Sequence, residues 1–166
     1  MRSRNPGAIV FGAILCCVVA AAAGAATPEA GPLAPIQKFV DSFNQGDVAA
    51  AAATHAAGPD LAIIDEVPPH LWHGPQAFQA WSADLDSYSK EHGLTDQVVT
   101  LGTPVREEVN GDQAYVVVPV VYAFKERGVA MREAAQMAFA LRKGAGGWLI
   151  RGWAWAGPKP QPAATP

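Results

Sequence analysis

A chain of 166 residues has room for one domain, and its make-up, 50% hydrophobic and 16% charged, is rich in apolar residues for a globular protein. Its formal net charge is −3, with no Lys/Arg cluster, which argues against nucleic acid and anionic membrane surfaces as partners. No Gly-rich phosphate loop, nucleophile elbow or Cys/His pair is present, so nucleotide chemistry and covalent serine-type chemistry are set aside.

In chain order the first feature is an export signal over residues 1–26. Arg2 and Arg4 precede an almost uncharged apolar stretch over residues 8–26 that closes in small residues, as secretion and its peptidase require. Cleavage after Ala26 leaves a periplasmic or secreted protein that starts at Thr27. The alternative is an uncleaved membrane anchor. The run reaches the ~18–20 residues that span a bilayer, but its second half is mostly Ala and Gly, which insert weakly. The residues before Cys16 and Cys17 lack the Leu-small-small pattern of a lipid-attachment site, and Arg2 and Arg4 are not adjacent, as a twin-arginine signal needs. Both cysteines fall inside the signal, so the mature chain has no thiol and must be held by its core. Removing Arg2 and Arg4 from the 12 basic residues leaves ten against 15 acidic, a net charge near −5.

A flexible linker over residues 27–34 leads to a domain over residues 35–157. Pro35 suits the first turn of a helix, and Ile36, Phe39, Val40 and Phe43 follow as one apolar stripe that ends at Gly46. Asp47 can cap a second, Ala-rich helix from Val48 to about Ala56. Residues 61–65 form a short β-like run that stops at Pro68-Pro69. A third helix follows Gly74-Pro75, with Phe78, Trp81, Leu85 and Tyr88 on one stripe and Gly93 as its stop. Beyond Gly93 the pattern is a four-stranded antiparallel meander. Asn110-Gly111 turns residues 98–108 into residues 113–125, with further turns at residues 126–128 and 143–147. Pro119, unable to donate to a ladder, predicts an edge or a bulge that bends the sheet. Helices covering one face of a bent sheet make an α+β cone with a cavity. The Pro-rich tail over residues 158–166 lacks apolar anchors and is expected to be disordered.

Three segments carry a resemblance: residues 36–47, closing in Asn44-Gln45-Gly46-Asp47; residues 63–75, running from Ile63-Ile64-Asp65 to Trp72-His73-Gly74; and residues 147–153, opening in Gly147-Trp148. The domain resembles the nuclear transport factor 2-like superfamily, and within it the SnoaL-like and ketosteroid-isomerase-like proteins. The resemblance implies a cone-shaped curved antiparallel sheet packed on three N-terminal helices. It leaves function open, because the superfamily holds isomerases, hydrolases, cyclases, dehydratases and many non-catalytic members. It also implies homodimers paired through the outer face of the sheet, and the strand over residues 115–124, apolar on both faces, suits that.

Asp65 falls where ketosteroid-isomerase-like members place the carboxylate that moves a proton at carbon. Ile63, Ile64 and Val67 around it would raise its pKa. The donors such chemistry needs are missing: the first helix offers no Tyr, and the strand face Ala135, Met137, Phe139, Leu141 and its reverse, Ala134, Gln136, Ala138, Ala140, supply no second carboxylic acid. The competing role for Asp65 is a hydrogen bond to the backbone of the turn before Pro68. His70 and His73, near Asp65 and Glu66, lack a third matched ligand and helical geometry, so no metal or other cofactor is expected. The aromatics suggest a small-molecule site: Phe39, Phe43, Trp72, Trp81 and Trp153 as walls, His73 at the rim, and Tyr122 and Gln136 as polar contributors. By strand alternation Trp148 stands on the face opposite Trp153 and Trp155. The expectation is an exported domain that binds a small apolar molecule or a partner, with two alternatives: an acid–base enzyme using Asp65 and Tyr122, or a non-catalytic dimeric module.

Overall fold

The structure is a computed structural model that describes residues 30–163. The export signal and its cleavage point lie outside the described residues, as do residues 27–29 of the linker and the last three of the tail. Helix α1 spans Leu33–Asn44, two residues earlier than Pro35 predicts, so the end of the linker is helical. Its stripe buries Ile36, Phe39 and Val40, with Phe43 partly buried beside them. Helix α2, Val48–Ala52, is shorter than expected but is capped as expected: Asp47 Oδ1 accepts from Ala50 N at 2.9 Å. Strand β1 covers Ala62–Ile64, and β2, Leu71–His73, is a strand where a loop was expected. Helix α3, Ala77–His92, ends at a left-handed Gly93.

The remaining strands are β3 (Leu94–Leu101), β4 (Arg106–Asn110), β5 (Gln113–Glu126), β6 (Val129–Gly144), β7 (Gly147–Ala156) and β8 (Gln161–Pro162). They form one sheet in the order β2-β1-β7-β6-β5-β3, with β4 also on β5 and β8 also on β6. The α+β cone is therefore present, but its sheet is mixed, because β1 runs parallel to β7. Gly152 permits that pairing: a Cβ on it would lie 2.8 Å from the Ala62 carbonyl oxygen. Gly152→Ala is accordingly expected to lever β1 off β7 and destabilise the fold by about 2 kcal/mol, read as a lower urea midpoint.

One strand read as continuous is interrupted. The run expected over residues 98–108 divides into β3 and β4, which take opposite halves of β5. Pro119 lies in the gap, where its missing N–H costs no ladder bond, and its carbonyl accepts from Gly102 N at 2.7 Å. Asn44 then clamps the outer edge of β3 through both amide groups, each 2.8 Å from the backbone of Val99. On the other side, the chain leaves β7 after Ala156 and returns as β8 on β6, pairing Gln161 with Arg132 and Pro162 with Met131. The tail expected to be disordered is thus docked as far as residue 163, because main-chain pairing holds it without apolar anchors.

Candidate functional site

The helices and the curved sheet enclose a cavity of about 560 Å³. Phe39, Val40 and Phe43 come to it from α1, Trp81, Leu85 and Tyr88 from α3. From the sheet come Tyr122 and Phe124 of β5, Met131 and Met137 of β6, and Trp153 and Trp155 of β7. Of the predicted site residues, Phe39, Phe43, Asp65, Trp81, Tyr122 and Trp153 converge here. Three do not. Trp72 is buried with its indole N–H donating to Asp84 Oδ2 at 2.8 Å, which ties β2 to α3. His73 is exposed on β2, and Gln136 is exposed on the outer face of β6, one position out of phase with the inward Ala135 and Met137.

Trp148 also departs from alternation. Ala140 pairs with Gly152 while Leu141 pairs with Ile150, so Arg151 is an extra residue that reverses the parity of β7. Trp148, Ile150, Trp153 and Trp155 therefore all pack against the core, and the Arg151 guanidinium turns to Asp60 at 2.7 Å.

Asp65 hydrogen-bonds in two directions. Oδ1 accepts from Glu66 N at 2.7 Å, the expected backbone cap, while Oδ2 accepts from the Trp81 indole at 2.6 Å inside the cavity. Burial pushes its pKa up, against the lowering effect of the Trp81 bond. Two further acids join it that sequence reasoning missed. Glu66, exposed at the cavity mouth, has its pKa raised to about 7, first by desolvation and then by the charges of Glu133 and Asp65. Glu133 is only 1% exposed; Oε1 accepts from the Trp155 indole at 2.8 Å, and Oε2 has no hydrogen-bond partner. Its pKa is raised by burial, partly offset by the Trp155 bond. Glu66 and Glu133 interact as a carboxyl pair: as two ionised groups neither can donate, but a protonated Glu66 can donate to Glu133, which raises the Glu66 pKa and lowers that of Glu133. The signal for Glu133 was present: it continues the face of Ala135, Met137 and Phe139 by one more step of two, and supplies the second carboxylic acid thought missing.

Tyr122 pairs across the ladder with Glu133, and burial together with the facing acids raises its pKa. Its hydroxyl donates to Gln97 Oε1 at 2.6 Å, so its proton is already engaged. Beneath these groups lies a neutral histidine. His55 Nδ1 is 3.0 Å from the Ala51 carbonyl oxygen, and Nε2 accepts from the Trp153 indole at 3.1 Å, which fixes the Nδ1–H tautomer. Burial lowers its pKa to about 4. An NMR titration should find His55 neutral from pH 7 down to about 4; a midpoint near 6.5 would contradict the assignment.

Among the described residues no cluster of three His, Cys, Asp or Glu side chains is arranged to hold a metal ion. His70 instead sets Nδ1 3.2 Å from the Asp65 carbonyl oxygen.

These features define an α+β cone whose cavity is largely apolar, with a group of acids in its wall. No family model matches the chain, and no curated protein matches it in sequence. Among solved structures it is similar to a nuclear transport factor 2-like superfamily protein from Salmonella enterica serovar Typhimurium, at 16% identity and TM-score 0.62 over 80% of this chain and 89% of that one. It is similar also to a ketosteroid isomerase-like protein from Erwinia carotovora atroseptica, at 22% identity and TM-score 0.58 over 76% and 92%. A hexachlorocyclohexane dehydrochlorinase matches at 15% identity and TM-score 0.64 over 81% and 90%. The fold is that of the nuclear transport factor 2-like superfamily, as the sequence resemblance implied.

Proposed function

We propose that the protein binds a small, largely apolar molecule in the cone, and that it does so outside the cytoplasm after removal of residues 1–26. The cavity carries this reading: about 560 Å³ is the size of a small-molecule site, and its walls are aromatic and aliphatic with a few placed polar groups. Titration with N-phenyl-1-naphthylamine, whose fluorescence rises in apolar surroundings, is expected to show saturable one-to-one binding. Met137→Trp, which projects an indole into the cavity, should abolish it; equal binding by that variant would contradict the reading.

One observation favours acid–base catalysis as a second reading. Asp65 is a desolvated carboxylate held by a single indole N–H inside the cavity. Structurally similar proteins include a ketosteroid isomerase-like protein and a hexachlorocyclohexane dehydrochlorinase. On this reading Asp65→Asn retains binding and loses turnover; turnover that survives the substitution would remove Asp65 from the chemistry.

A further inference from the structure

We propose that the molecule bound in the cavity is an apolar amine, its ammonium group seated at Asp65 and Glu66 with Glu133 behind them and its carbon frame against Trp81, Trp155 and Tyr122. This rests on the ligand-binding reading above and adds the sign of the ligand's charge.

Three separate observations lead there. First, acids outnumber bases at the cavity: Asp65, Glu66 and Glu126 line it, and Glu133, on the strand between Met131 and Met137, which both line it, is buried behind them. Among the described residues no Lys or Arg forms an ion pair with Asp65, Glu66 or Glu133. His92 and an exposed Lys159 also line the cavity, but neither forms an ion pair with these acids.

Second, Glu133 is a buried acid with an unfilled acceptor. Its Oε2 accepts from no N–H or hydroxyl group although the residue is 1% exposed. The group paired with it is another acid, Glu66, which can answer it only while it holds a proton; a buried carboxyl oxygen in such a place favours a cationic donor. The backbone closes over this carboxylate at Gly157, where a Cβ would overlap Oε1 and lie 2.7 Å from the Ala135 Cβ, so residue 157 has no room for a side chain that could answer it. An ammonium group brings up to three donors and a full positive charge.

Third, the wall around the acids is aromatic. Trp81 stands edge-on to Trp153 with centroids 5.1 Å apart, and Tyr122 edge-on to Trp155 at 6.0 Å. Indole and phenol faces attract a desolvated cation and accept the carbons beside it. Neutral ligands would use these faces equally well, but they would bring no charge to balance the acids.

A matched series separates the contributions: tryptamine, its alcohol analogue tryptophol, and indole-3-acetate, titrated calorimetrically into the mature protein at pH 7.5 and low salt. Tryptamine is expected to bind at least ten-fold more tightly than tryptophol, and indole-3-acetate not measurably. Glu66→Gln and Glu133→Gln should each reduce the preference for the amine several-fold and leave tryptophol affinity unchanged, their melting curves confirming folded protein. If tryptophol binds as tightly as tryptamine, the charge assignment is overturned while the cavity reading stands. If none of the three binds, both fall. Should either variant fail to fold, the comparison of amine with alcohol on the natural chain still decides.

Discussion

Replacing Phe39 with Ala is expected to cost about 3–5 kcal/mol of folding stability, the range for removing a buried aromatic side chain. Phe39 is 3% exposed and meets four rings: His55 at 4.9 Å, Trp153 at 5.7 Å, Trp81 at 6.1 Å and Phe78 at 6.3 Å between centroids. It thereby joins α1 to α3, to the His55 turn and to β7. It also stands between the main cavity and a smaller one of about 210 Å³ under α1 and α3, since it lines both. Truncation would merge empty space on either side, leaving the site little means to collapse. Urea unfolding measures the cost; a loss under about 1 kcal/mol would show that the helices do not depend on this ring.

The second large effect concerns pH. Asp65, Glu66 and Glu133 all have pKa values raised in the folded protein. A raised carboxyl pKa means that the fold holds protons the unfolded chain has released, so stability is fully present below the ordinary carboxylate range and is lost as pH rises through the folded value. For Glu66 that window runs from 4.5 to about 7. His55 works the other way: its pKa falls from 6.5 to about 4, so its contribution is present above 6.5 and is lost as pH falls toward 4. The two partly cancel in the natural chain, and a difference between variants separates them. Glu133→Gln keeps an oxygen for the Trp155 indole and removes one of the interacting charges. It should therefore be more stable than the natural protein at pH 8 by about 1–2 kcal/mol, a figure reduced for the exposure of Glu66, with the advantage shrinking toward pH 4.5. A pH-independent difference between the two would mean that Glu133 is not electrostatically linked to its neighbours.

The parts of the fold legible in the sequence were those with local causes. The stripe from Ile36 to Phe43, the Asp47 cap, the Gly93 stop and the Asn110-Gly111 hairpin each follow from neighbours a few residues away. Long-range causes were hidden. The parallel seating of β1 on β7 depends on Gly152 meeting Ala62, and the docking of β8 on β6 depends on main-chain pairing that composition does not reveal. The division of β3 from β4 belongs to both classes: Pro119 signalled an interruption, but only the pairing showed that its neighbours, and not β5, would break.

The candidate site followed the same division. Phe39, Trp81 and Trp153 could be placed from helix and strand periodicity, and Asp65 from the family resemblance. Gln136 failed because the wrong parity was admitted for β6, and the same error hid Glu133, which shares its face with Met137 and Phe139. Trp148 failed because a single extra residue, Arg151, resets alternation without any mark in composition. Trp72 and His73 failed because the segment before α3 folds as a strand whose buried indole serves Asp84.

The most direct test of a ligand cavity uses the five tryptophans as reporters. In a ¹H–¹⁵N spectrum each indole N–H gives one signal, and the structure divides them by place: Trp81, Trp153 and Trp155 line the cavity, whereas Trp72 and Trp148 do not. Addition of N-phenyl-1-naphthylamine is predicted to shift the first three in a saturable manner and leave the other two in position. Five unmoved signals, or shifts confined to Trp72 and Trp148, would contradict binding in the cone.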